Sequence, residues 1–256
     1  MNHWKYALNQ SLDLLSPRPK TITLPVVSGL MITLLIAGCA SMPKSLDDLG
    51  PRYKPVNIYR QSEVLPTRIR RVAVLPLTTP ASTALLASGV EDLETILYAE
   101  LEKSGRFEVI PVSAEQLREW TGRSGWRADE QLPLDFLERL REGTGCDAVL
   151  FCQLIRYQPY EPLAIGWKFT LAQKGGAAKD STTSPKDAGL QILWSADEVF
   201  DAGDVSVATA ARAYYSQHLR NEAPLSDSST VLGSPSRFGQ YTLNALFTTL
   251  PGRQNH

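Results

Sequence analysis

The sequence predicts an α/β domain of the α+β kind, with a single mixed β-sheet of about five strands and helices packed on it. Three observations predict it. Short runs rich in β-branched and aromatic residues mark strands, some apolar on both faces and one strictly alternating. Stretches with a 3.6-residue apolar period, opened by capping residues and closed by glycine, mark helices between and after them. Their order is β-α-β-α-α-β-β-β-α-α, the order of one mixed sheet with helices packed against it.

The first strand is "Arg70-Arg71-Val72-Ala73-Val74-Leu75-Pro76-Leu77", apolar on both faces and closed by Pro76, as a covered central strand is. In the helix that follows, Ser88 and Glu91 have capping-box spacing, and Val90, Leu93, Leu97 and Leu101 form one stripe. Glu91, Asp92 and Glu94 then fall at its positive end, Lys103 at its negative end, and Gly105 ends it. "Phe107-Glu108-Val109-Ile110" is the second strand, stopped by Pro111. Ser113 and Gln116 cap a short helix carrying Leu117 and Trp120. After the loop 121–131, Pro133 opens a helix with Phe136, Leu137 and Leu140 inward, ending at Gly143 or Gly145. Three strands follow in near succession, at 148–157, 165–172 and 190–196, and the polar, Gly/Ser-rich loop 173–188 between the last two is predicted to be disordered. Residues 208–219 read as a helix. Ser234 and Pro235 cap a final one carrying Phe238, Tyr241, Ala245, Leu246 and Leu250.

Ahead of the domain, residues 1–38 have the grammar of an export signal. A basic lead contains Lys5, Arg18 and Lys20; an uncharged stretch runs over 21–43; small residues gather near its end. The apolar core, 24–37, has the length of a signal h-region. "Ile36-Ala37-Gly38-Cys39" follows it and resembles the lipobox of bacterial lipoproteins. That resemblance implies cleavage before Cys39 and lipidation of its thiol. Ala37 and Gly38 open the backbone to a peptidase, and the thiol carries a diacylglyceryl group as a thioether. The lipoprotein pattern implies three acyl chains, and at ~0.8 kcal/mol per buried methylene several chains hold firmly where one does not. Ala40, standing where an aspartate would retain the protein on the inner membrane, implies the outer membrane and its periplasmic face. The alternative is an uncleaved anchor, because 23 uncharged residues can cross ~30 Å of hydrocarbon. The lead before Thr21 includes Asp13 and is longer than lipoprotein leads usually are.

Residues 41–67 are rich in Pro, Ser and charge, and read either as a tether or as an arm packed on the domain through Tyr53, Ile58 and Tyr59. The organisation is therefore a signal at 1–38, a lipid-anchored tether at 39–67, and the α/β domain at 68–252.

The chain has 256 residues, 43% of them hydrophobic and 21% charged, enough for one domain with a core plus appendages. Its net charge is -1; the first 38 residues carry +2 and the remainder -3. A nucleic-acid partner is not expected, because no basic excess is present to hold one.

The strands "Val-Ala-Val-Leu-Pro-Leu" and "Phe-Glu-Val-Ile", with "Gly-Cys-Asp-Ala-Val-Leu-Phe" and "Ile-Leu-Trp-Ser-Ala" after them, resemble a superfamily of periplasmic lipoproteins over about 70–215. It comprises the curli secretion lipoprotein, the lipoprotein activator of penicillin-binding proteins and the amino-terminal domain of the Tol-Pal translocation protein. The resemblance implies protein binding or assembly at the outer membrane and carries no shared active site.

The residues themselves point away from catalysis. The only histidines are His3, His218 and His256, and none stands beside a nucleophile in the sequence pattern. Gly143 and Gly145 lack the lysine of a phosphate loop and suit a turn. Asp197, Glu198, Asp201 and Asp204 offer hard-cation ligands in a spacing that matches no known loop, and Asp204 reads better as a helix cap. The basic cluster Arg68, Arg70 and Arg71 reads as a solvated strand entrance, with anionic headgroups as the other use. Cys146 and Cys152, ~20 Å apart if extended, are expected to be buried and unpaired, since a disulfide needs α-carbons within ~7 Å. No cofactor, no metal and no enzymatic activity are expected. The expected partners are the bilayer, through acylated Cys39, and another envelope protein met at the sheet edge or the 173–187 loop; self-association stays open. The second reading is a subunit of an oligomeric outer-membrane secretion pore, to which the hairpin 165–196 would contribute strands.

Overall fold

The computed structural model describes residues 52–175, 189–219 and 227–253. Residues 36–39 and most of the loop expected to be disordered, 176–188, lie outside them.

The centre of the sheet is β2 (Arg71–Val74), whose Val72, Ala73 and Val74 are fully buried. β3 (Glu108–Pro111) pairs with it in parallel on one side and β4 (Ala148–Gln158) in parallel on the other. β5 (Ala164–Lys174) and β6 (Leu190–Asp201) continue antiparallel, and a short β1 (Ile58–Arg60) closes the far edge against β6. The order is β1-β6-β5-β4-β2-β3, a mixed sheet of six strands. The sixth strand comes from the segment preceding the predicted domain. Because alternate strand residues point to opposite faces, β2 and β4 feed two separate cores. Val72, Val74, Leu150 and Leu154 join one; Ala73, Leu75, Val149 and Phe151 join the other.

Three helices cover the larger core: α1 (Ala84–Lys103), α4 (Val205–Tyr214), which widens into a π-helix over Tyr215–Leu219, and α5 (Pro235–Phe247). Two short ones, α2 (Ala114–Thr121) and α3 (Phe136–Thr144), cover the smaller core. Their local signals are those of the sequence. Ser113 and Gln116 form a reciprocal capping box, Ser234 and Pro235 open α5, Gly145 in the left-handed region (φ 67°) ends α3, and Gly105 (φ 62°) follows α1.

One cap differs. Thr83, rather than Ser88, begins α1, its hydroxyl accepting from the Leu86 N–H at 3.3 Å. The intervening 84–87 are alanines and leucines, strong helix formers that carry the helix back a full turn. Glu91, Asp92 and Glu94 are therefore not at its positive end, and two of them bond sideways. Asp92 accepts from the Tyr157 hydroxyl at 2.5 Å, and Glu94 from the Leu77 N–H at 3.1 Å. Gly89 sits mid-helix because β4 leaves no room there. A Cβ would lie 2.6 Å from Cγ of Tyr157 and 2.7 Å from Cδ2 of Leu154.

The β5–β6 hairpin, read as a possible barrel contribution, is the heart of the larger core. Trp167, Phe169 and Trp194 stack in sequence across it, at 5.6 and 6.3 Å. Both indole N–H groups donate to α5 or the turn after it, Trp167 to Thr242 at 2.9 Å and Trp194 to Thr249 at 3.1 Å. Burying these rings against helices leaves that face nothing to offer lipid.

Cys146 and Cys152 are both buried and unpaired. The strand starts at Ala148, after Cys146, and the two thiols belong to opposite cores, which keeps the sheet between them.

Two outcomes follow from this packing. Gly89→Ala forces the ring of Tyr157 to move and lowers the unfolding free energy by about 1–3 kcal/mol, read from urea titration; an unchanged midpoint contradicts the close approach. The unreduced, denatured Cys39→Ser variant shows two titratable thiols, Cys146 and Cys152, where a disulfide would leave none.

Candidate functional site

The nominated carboxylates do not converge. β6 runs on through Asp201, further than the sequence suggested, so Asp197 faces solvent and Glu198 turns into the core. Asp204 caps α4, accepting from the Ser206 N–H at 2.7 Å. Among the described residues no group of His, Cys, Asp and Glu is placed to hold a metal ion. The arginine cluster is tied into the strand entrance. One Asp147 oxygen accepts from the N–H of Arg70 at 2.9 Å and of Arg71 at 3.0 Å, the Arg71 guanidinium reaches Glu108 at 3.5 Å, and Arg68 donates to Gln173 at 3.1 Å. Gly143 packs on Trp120 and Gly145 turns α3 towards β4. His218 stacks on Tyr214 at 4.7 Å. Burial pushes both thiols up, and the charge of nearby Glu94 adds to the effect at Cys152.

Among the described residues, two further places gather polar groups from distant parts of the chain. The first is Glu198, 6% exposed, on the core face of β6 beside Ala196 and Phe200. One of its oxygens accepts from the N–H of Val56 at 2.5 Å and of Asn57 at 2.6 Å, and the other from the Tyr53 hydroxyl at 2.5 Å. Burial first, then the hydrogen bond to Glu198, raises the Tyr53 phenol. The Tyr53 ring meets Phe200 edge-on at 5.3 Å. Further along, β1 pairs with β6 and the Leu65 N–H donates to Gly252 at 2.8 Å. The described part of the segment, 52–67, is thus an arm packed on the domain. In the sequence Glu198 is one of four carboxylates set aside as cation ligands in favour of a strand exit; its parity with Trp194 and Ala196 is the signal that it faces inward.

The second is a crevice of about 900 Å³ beyond the carboxyl ends of the parallel strands. Its floor is Pro76–Thr79, the continuation of β2. One wall is α1, with Ala87, Val90, Glu91 and Glu94; the other is α2 and the loop after it, with Ala114, Arg118, Arg123, Arg127 and Glu130. Glu130 lies between Arg123 at 2.9 Å and Arg127 at 3.2 Å, and Arg123 stacks over Trp126 at 4.3 Å. In open α/β sheets such a crevice forms where the connections from neighbouring strands leave on opposite faces. Here α1 leaves β2 on one face, and α2 and α3 lead to β4 on the other. Sequence reasoning missed it because it depends on strand order.

No protein-family model matches the chain, and no curated protein matches it. Solved structures do. The PelC dodecamer from Paraburkholderia phytofirmans is 15% identical, with a TM-score of 0.39, over 77% of this chain and 98% of that one. The lipoprotein GNA1162 from Neisseria meningitidis is 15% identical, with a TM-score of 0.35, over 61% and 99%. CT253 from Chlamydia trachomatis is 11% identical, with a TM-score of 0.34, over 70% and 93%. At TM-scores below 0.5 such likenesses are too shallow to carry a function across. No helix among the described residues is long and apolar enough to cross a membrane.

Glu198→Ala leaves two N–H groups and a phenol without their acceptor. It costs about 3 kcal/mol or more, with faster hydrogen exchange over 53–60 than elsewhere; a uniform change across the domain contradicts the clasp.

Proposed function

We propose that the protein is a lipid-anchored lipoprotein of the cell envelope, on the outer membrane facing the periplasm. It has no catalytic role and binds, or helps assemble, another envelope protein. The observation that carries this reading is "Ile36-Ala37-Gly38-Cys39" at the end of an export signal, with Ala40 next. The clasped arm fits it. From Cys39 to Arg52 the chain has 13 residues, which reach at most ~45 Å at ~3.4 Å each, so the domain works close to the membrane that holds the anchor. The non-catalytic reading is supported by the thiols, buried and raised away from thiolate. It is also supported by His218, packed on a tyrosine ring. The pore reading is weaker, because its hairpin is committed to the core.

Mass spectrometry of the mature protein finds Cys39 at the amino terminus, bearing acyl chains. Cys39→Ser abolishes incorporation of labelled palmitate and moves the protein out of the membrane fraction; a mature chain starting elsewhere, or a free thiol at 39, removes the assignment.

A further inference from the structure

The crevice between α1 and α2 has walls of opposite charge. Glu91 and Glu94 put -2 on the α1 wall, while Arg118, Arg123 and Arg127 against Glu130 leave +2 on the other. Small residues, Ala87 on one side and Ala114 and Gly122 on the other, keep it open. The α1 row from 87 to 94 is ~10 Å long at ~1.5 Å per residue, the length of about three extended residues.

An extended chain sends successive side chains to opposite sides. Laid along this floor, it would offer alternate residues to an acidic and a basic wall. We propose that the crevice binds an extended polypeptide segment of alternating charge, with lysine or arginine facing Glu91 and Glu94 and aspartate or glutamate facing Arg118 and Arg123. This rests on the reading of the domain as a protein-binding module and assigns its contact surface. Neither a purely basic nor a purely acidic segment satisfies both walls, since each meets like charge on one side.

The test uses the detergent-solubilised full chain and a fluorescent hexapeptide of alternating lysine and glutamate, with hexalysine and hexaglutamate as controls. At low salt the alternating peptide binds with Kd below about 1 mM, and each control binds at least ~10-fold more weakly. Glu91→Lys alone and Arg118→Glu alone each weaken binding by ~10-fold or more. The double variant leaves neither wall with a net charge and binds no better than either single variant. Both side chains are exposed, and unchanged circular dichroism confirms the fold. No binding at that concentration, equal binding of a control, or single reversals without effect overturns the proposal. Cys39→Ser binds the peptide as the parent does, so failure of the lipid anchor and failure of the crevice are read separately.

Discussion

Burial of β2 on both faces is the constraint from which the rest of the structure follows. A strand whose every side chain is covered must have helices above and below it, and parallel neighbours reached by crossovers. Val72 and Val74 turn one way and Ala73 and Leu75 the other. The connection to β3 therefore lies on one face as α1, and the connection to β4 lies on the other as α2 and α3. Both cores, the separation of the two cysteines and the crevice at the strand ends derive from that division.

The far half of the sheet obeys a different rule. β5 and β6 turn their large rings, Trp167, Phe169 and Trp194, to the larger core, and the edge of β6 would be open if the chain began at the first predicted strand. Open edges are hazards that proteins cover. Here the chain covers its own, and the polar group that fixes the cover is a buried carboxylate. Such a group is tolerated inside only with its hydrogen bonds made, and Glu198 has three donors, all from the arm. The arm and the carboxylate thus require each other.

Local signals were legible and relational ones were not. The capping box at Ser113, the Ser234–Pro235 start, the stop at Gly145 and the cap at Asp204 depend on residues within a turn of one another, and all are found. The misplaced cap at Ser88 shows the limit. A correct spacing inside a longer helix cannot be told from a true start until the upstream turn is seen to continue. β6 was cut short at Ala196 because a run of carboxylates reads as a strand exit, although its alternation continues through Glu198 and Phe200. The crevice was invisible because its walls, α1 and α2, meet only through the strand order.

Walls of opposite charge attract, so the crevice stays open only if its parts are held from behind. They are. The floor is bonded to β4 through Thr78, whose N–H donates to Cys152 at 3.0 Å and whose carbonyl accepts from Leu154 at 2.8 Å. α1 is fixed to that floor by Glu94 and packed on β4 through Gly89. The opposite loop is anchored by Trp126, whose indole donates to Thr121 at 2.8 Å, and by Asp129 on Lys168 of β5 at 3.1 Å. Burial alone would raise the Asp129 carboxyl, but the bonds from Lys168 and Arg127 hold it low, so this anchor stays charged. Each wall is thus tied to the sheet rather than to the other wall. A ligand entering between them meets charges already spaced, without the ordering cost that a collapsible cleft would impose.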